Sequence, residues 1–103
     1  PAKIFPLLVE SALRKSNAVS ECSVVGRKRN GSDIYEAVAF VVRKDLTQNS
    51  DAVITELNAI CAENVPTYMF PVEYRFIDEL PHTPVGKVDF RALEREAQKE
   101  KEV

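Results

Sequence analysis

Lys87 is the residue whose type and setting best suit chemistry. It follows Gly86 in the segment Leu80-Pro81-His82-Thr83-Pro84-Val85-Gly86-Lys87-Val88-Asp89. Pro81 and Pro84 remove freedom from the unfolded segment, so one fixed loop geometry costs less to hold. Gly86 allows close approach of the backbone to a ligand. A lysine held on such a loop is a compact point charge suited to phosphate or carboxylate oxygens. The competing reading is a solvated lysine in a turn, because short motifs have many accidental matches.

The other candidates carry weaker signals. Arg27, Lys28 and Arg29 form the one dense basic cluster and suit phosphate, but a solvated hairpin turn is the favoured reading in a chain of acidic balance. His82 is the single histidine. It sits in the proline-rich turn, with no serine or cysteine nucleophile near it in sequence, and a surface position is expected. Cys22 and Cys61 form no CxxC and fit neither a zinc pattern nor a disulfide framework; core packing is expected of both. Tyr68, Met69 and Phe70 suit a partner surface or, more simply, the core. Glu10 lies beside an apolar helical stripe, where a solvated or capping role is expected. There is no glycine-rich phosphate loop, no carboxylate pair arranged for acid–base work and no metal-ligand set. A self-contained enzyme needs several convergent polar groups, so a binding module or one piece of a larger enzyme is expected.

The elements that must position these residues follow from periodicity. Phe5, Leu8, Val9, Ala12 and Leu13 form the stripe of an amphipathic helix, with Pro6 suited to its first turn and Ser16-Asn17-Ala18 ending it. Val19 to Gly26 reads as a strand. Asn30-Gly31 is a hairpin turn signal. Ile34 to Val42 reads as a second strand, and the unbroken apolar run Ala37 to Val42 predicts cover on both faces. Thr47 to Asp51 holds N-cap candidates for a helix whose stripe is Val53, Ile54, Leu57, Ile60 and Cys61. Val65-Pro66 stops it. Val72 to Asp78 predicts a third strand. Leu80 to Asp89 is loop, and a last helix starts near Asp89, an N-cap candidate, with Phe90, Leu93 and Ala97 on one face. The order predicts an α+β domain, with a small, mainly antiparallel sheet of about three strands flanked by helices.

Composition sets the outer limits. The chain has 103 residues, 45% hydrophobic and 29% charged, which is room for one domain with a modest core. Fourteen basic against sixteen acidic residues leave a net charge of −2. A dedicated nucleic-acid binder carries a strong basic excess, so none is expected here. No apolar run is long enough to span a membrane. The first residues lack signal-peptide character, and a reducing, cytoplasmic setting is expected.

The Leu80–Asp89 segment resembles the signature near the C-terminus of adenylate-forming enzymes. That superfamily comprises acyl-CoA synthetases, the adenylation domains of peptide synthetases, and luciferases. Its pattern is Leu-Pro, a basic residue, Thr-Pro or Thr-Ala, any residue, Gly-Lys, then Val, Ile or Leu. Three further stretches agree in order and spacing. Lys3 to Glu10 resembles Ile-x-Pro-x-Glu-Val-Glu, Ser20 to Gly26 resembles Val-x-Glu-Ala-Ala-Val-Val-Gly, and Val65 to Pro71 resembles Leu-Pro-x-Tyr-Met-Val-Pro. Leu8 stands where the first glutamate is usual, Arg27-Lys28-Arg29 replaces a Gly/Val-Pro-Asp turn, His82 replaces arginine or lysine, and Phe90 replaces a frequent second basic residue. None of these removes Gly86-Lys87.

The resemblance implies that residues 1–103 are one mobile C-terminal lid domain of a larger adenylate-forming enzyme. The N-terminal adenylation domain, with the ATP-binding loops and acyl pocket, is its expected partner and lies outside this sequence. The expected activity is that of an AMP-forming acid–thiol ligase of cytoplasmic, fatty-acid type, with the isolated domain inactive. Lys87 is the implied catalytic lysine in acyl-adenylate formation from ATP, as its Mg2+ complex, and a carboxylic acid. Gly86, Thr83 and Pro84 are the implied supporting loop. Lys3, Arg27, Lys28 and Arg29 are the implied contacts to nucleotide or CoA phosphates, with no metal ligated by the domain. The lid then rotates and CoA accepts the acyl group. Two alternatives stay open: a lid that loads the pantetheine of a carrier protein, and a freestanding, non-catalytic interaction module. The acid itself is not legible, because its pocket lies in the other domain.

Overall fold

The computed structural model describes residues 5–28 and 34–99. Along the chain they form α1 (Pro6–Leu13), β1 (Val19–Lys28), β2 (Tyr35–Arg43), α2 (Ser50–Asn64), a 3-10 turn (Thr67–Met69), β3 (Glu73–Phe76) and α3 (Phe90–Gln98). The strands make one sheet in the order β1-β2-β3. β1 and β2 pair antiparallel, with Val24 opposite Ala39 and Arg27 opposite Glu36. β3 runs parallel to β2, with Val38 opposite Glu73 and Val41 opposite Phe76. The α+β domain is thus mixed but mostly antiparallel. The parallel pair follows from α2, which carries the chain back along the sheet so that β3 starts at the same end as β2.

β2 is the central strand and all six residues from Ala37 to Val42 are buried. Its side chains alternate between two cores. Ala37, Ala39 and Val41 join α1 and α2 through Val9, Leu13, Val53 and Leu57. Val38, Phe40 and Val42 join Leu80, Leu93 and Ala97 on the α3 side. A strand covered on both faces needs an apolar residue at every position. A register shift between Val19 and Glu21 lets Val19 and Cys22, three apart, serve the same core.

The helix ends follow local chemistry. Pro6 sits in the first turn of α1. Asn49 caps α2, its side-chain oxygen accepting from the Ala52 amide at 3.1 Å, and extended Val65 before Pro66 stops it. Four sequence expectations are corrected. α1 buries Val9, Ala12 and Leu13 but leaves Phe5 and Leu8 about half exposed, and Glu10 takes an interior place beside them. On α3, Leu93 and Ala97 are buried whereas Phe90, in the first turn, is half exposed. Met69 is buried and Phe70 partly so, but Tyr68 is 58% exposed, so the core reading fails for it. The third strand is shorter than Val72 to Asp78. The Asn30-Gly31 turn and the end of the charged tail lie outside the described residues.

Both cysteines are buried and unbonded to one another. Burial pushes the Cys22 thiol up to about 11, partly offset by Arg14 and reinforced by Glu10. Burial likewise raises Cys61, against a lowering contact with the Tyr74 hydroxyl. Thiolate is the reactive form, so both are packing residues, as expected.

Candidate functional site

The loop between β3 and α3 closes as a small hairpin. His82 and Val88 form an antiparallel bridge. The Thr83 amide donates to the Lys87 carbonyl at 2.7 Å, and the Gly86 amide donates to the Thr83 carbonyl at 2.9 Å. Gly86 adopts φ +87°, the one positive φ among the described residues. This is the bonding of a three-residue loop in which a turn is followed by a glycine bulge. Pro84 at the second turn position supplies the φ that such a turn needs. Gly86 is required for its backbone conformation, not for space: a Cβ there would meet nothing within 4 Å.

The hairpin base is anchored to the α3-side core. Leu80 is buried, and Ile77 and Val88 pack against the same cluster. With Val88 turned inward, strand alternation turns its neighbour Lys87 outward, and Lys87 is exposed. Asp89 then joins hairpin to helix. Its amide donates to the Pro81 carbonyl at 2.8 Å, and its carboxylate accepts from the Ala92 amide at 3.1 Å as the N-cap of α3. The hydroxyl of Thr83 is buried without a hydrogen-bond partner. A groove of about 480 Å³ runs from Pro81 along α3, floored by Phe40, Ile77 and Leu93. Lys87 does not line it.

The far end of α3 is held by two arginines. Arg27 bonds Glu36 at 2.9 Å and Glu73 at 2.6 Å. Arg75 bonds the other Glu73 oxygen at 2.8 Å. Both guanidiniums also reach the C-terminal carbonyls of α3: Arg27 that of Ala97, and Arg75 those of Glu96 and Lys99. Cations at a helix C-terminus complement its unpaired carbonyls. Burial pushes the Glu73 carboxyl up, but the bonds from Arg75 and Arg27 outweigh it and hold the group below its usual range. Burial alone would lower Arg27, and its two glutamates reverse that. Gln98 adds a reciprocal pair with the Lys28 backbone, accepting from its amide at 2.8 Å and donating to its carbonyl.

The structure therefore gathers Thr83, Pro84, Gly86 and Lys87 into one loop and places Arg27 and Lys28 elsewhere. The nine-residue α3, about 13 Å long, separates the two groups. Arg27 is committed to glutamates, so a phosphate there would compete with Glu36 and Glu73. Lys3 and Arg29 lie outside the described residues. His82 is exposed, as expected. Among the described residues no three His, Cys, Asp or Glu side chains converge as a metal site.

Local pattern carries only part of the role of Asp89 and none of that of Glu10. Asp89 was legible as an N-cap, but not as the partner of Pro81. Glu10 is 3% exposed rather than solvated or capping. Its carboxylate accepts from the Val24 amide at 2.8 Å and pairs with Arg14 at 3.3 Å.

Residues 8–87 match the family described as AMP-binding enzyme C-terminal domain, and the chain belongs to that family. It is 34% identical over 91% of its length to a long-chain-fatty-acid–CoA ligase of Salmonella typhimurium, spanning 16% of that protein. It is also 34% identical over 82% of its length to a linear gramicidin synthase component of Brevibacillus parabrevis, spanning 2% of it. Among solved structures, the anthranilate CoA ligase AuaEII in complex with anthranoyl-AMP superimposes with a TM-score of 0.78 at 33% identity, covering 93% of this chain and 18% of that one. The chain thus spans less than a fifth of these relatives. It is similar both to acyl-CoA ligases and to a component of a gramicidin synthase.

Proposed function

We propose that this is the lid domain of a cytoplasmic, AMP-forming acyl-CoA synthetase and that Lys87 serves acyl-adenylate formation. The observation that carries the reading is the hairpin: bonds from Thr83 and Gly86, with Gly86 at φ +87°, hold an exposed lysine beside the tip of a closed loop. In the reaction a carboxylate oxygen attacks the α-phosphate of ATP, and pyrophosphate leaves with the electrons of the broken P–O bond. The Lys87 ammonium bridges the carboxylate and the oxygens around the α-phosphate. Such displacements are accelerated chiefly by positioning and charge neutralisation, which is what a fixed, exposed ammonium supplies. ATP and its Mg2+ are held by the N-terminal adenylation domain, the partner of this lid.

The lid then turns about its junction with that domain, withdrawing Lys87 and bringing another face to CoA. One element can complete two sites by hinge rotation. Lys3, Lys28 and Arg29, with Arg27 as the structurally committed member, contact CoA phosphates in that second state; charge reversal there with unchanged KM for CoA overturns this part. The half-reactions test the whole. Lys87→Ala in the complete enzyme is expected to lose adenylation by on the order of 10²–10³ while still converting supplied acyl-adenylate to thioester. Equal damage to both steps contradicts the assignment.

The equal identity to a linear gramicidin synthase component favours a second reading, a lid that loads a carrier protein. Acyl transfer to a pantetheinylated carrier but not to free CoA selects it.

A further inference from the structure

We infer that Asp89 is the positioning residue for Lys87, the joint through which the orientation of α3 is passed to the hairpin; this rests on the reading of Lys87 as the adenylation lysine. Among the described residues none pairs with the Lys87 ammonium, so its place is set by backbone alone. That backbone is held from two sides. Thr83 and Gly86 close the tip. Asp89, two residues beyond Lys87, closes the base through its amide on Pro81 and begins α3 through its carboxylate on Ala92. The Leu93 amide returns to the Asp89 carbonyl at 3.2 Å as the next helical bond. α3 is in turn fixed at its other end by Arg27 and Arg75, so the helix is a strut with one end clamped and Asp89 at the other.

An N-cap side chain holds its residue out of helical geometry while satisfying a first-turn amide. Without it the first turn of α3 frays, and the Asp89 backbone loses the conformation that meets Pro81. The hairpin base then opens next to Lys87. A displacement of about 1 Å at a reacting group can cost on the order of 10² in rate. The carboxylate's task here is geometric, so a neutral acceptor of the same shape should perform it.

The test uses the complete enzyme carrying Asp89→Ala, Asp89→Asn, Lys87→Ala, and Asp89→Ala combined with Lys87→Ala. Adenylation is followed by pyrophosphate exchange, and thioester formation from supplied acyl-adenylate. Asp89→Ala is expected to slow adenylation by about ten- to a hundredfold and to spare thioester formation. Asp89→Asn, an equally good cap, should restore the parent rate. The combined variant should be no slower than Lys87→Ala, because the effect passes through Lys87. Loss in Asp89→Asn equal to that in Asp89→Ala overturns the inference in favour of a direct role for the charge. Equal loss of both half-reactions in Asp89→Ala overturns it in favour of general damage to the fold. Parent-like adenylation by Asp89→Ala beside a crippled Lys87→Ala overturns this inference alone. Parent-like adenylation by Lys87→Ala overturns the reading of Lys87 and this inference with it.

Discussion

The carboxylate of Glu10 accepts the backbone amide of Val24 at 2.8 Å and so ties α1 to the unpaired edge of β1. Among the described residues β1 bonds β2 along one side only. Its other edge would leave a buried amide without a partner, which costs about 1–3 kcal/mol. Glu10→Ala is therefore expected to lower the unfolding free energy by about that amount, and Glu10→Gln, which keeps an acceptor, by less. Urea denaturation of both variants checks the order; equal stability of Glu10→Ala and the parent contradicts it.

The Gly86 conformation makes a ranked prediction. An L-residue in the left-handed region is strained by roughly 1–2 kcal/mol, and asparagine tolerates it best. With open space around the Cβ position, strain alone should decide. Adenylation and thermal stability should fall in the order Gly86, Gly86→Asn, Gly86→Ala, Gly86→Val. A parent-like Gly86→Val shows that the loop does not need the positive φ.

Glu73 gives the domain an acid-sensitive joint. Its arginine bonds hold its carboxyl below the usual range despite burial. A group depressed on folding contributes stability above its unfolded value, and that stability is lost as pH falls through the folded value. Stability should therefore drop through and below the ordinary glutamate range. Glu73→Gln should be less stable at neutral pH and show a flatter acid limb. Denaturant midpoints measured across that range decide it, and parallel pH curves for both proteins rule it out.

Thiol chemistry provides a rapid check on the core. Burial pushes Cys22 up to about 11 and raises Cys61. Neither should react with an aromatic disulfide reagent near pH 8 in the native protein, and both should react in denaturant. Rapid labelling of the native fold contradicts the packing described for α1 against β1.

The local signals translated well where one face or one cap decides. The unbroken run Ala37 to Val42 suggests a strand covered twice, which is what forms, and Asn49 and Asp89 cap the helices their positions suggest. The direction of β3 was not legible, since a four-residue strand carries no mark of its partner's direction. The burial of Glu10 was hidden because its partner, the Val24 amide, becomes an unpaired edge donor only once the sheet exists. Arg27 read as a phosphate candidate because its counter-charges Glu36 and Glu73 lie 9 and 46 positions away and meet it only across the sheet. The loop that carries Lys87 was legible through local residues, and the role proposed for Lys87 rests on it. Its support was legible only in part, because the Pro81 to Asp89 bond is tertiary detail.

The most direct test of the account is carboxylate-dependent ATP–pyrophosphate exchange by the complete enzyme and its Lys87→Ala variant, across fatty, aromatic and amino acids. Exchange by the parent with one acid class, and a loss on the order of 10²–10³ in the variant, is the predicted result. Exchange of equal rate in both proteins, or none by the parent with any acid, contradicts the role given to Lys87.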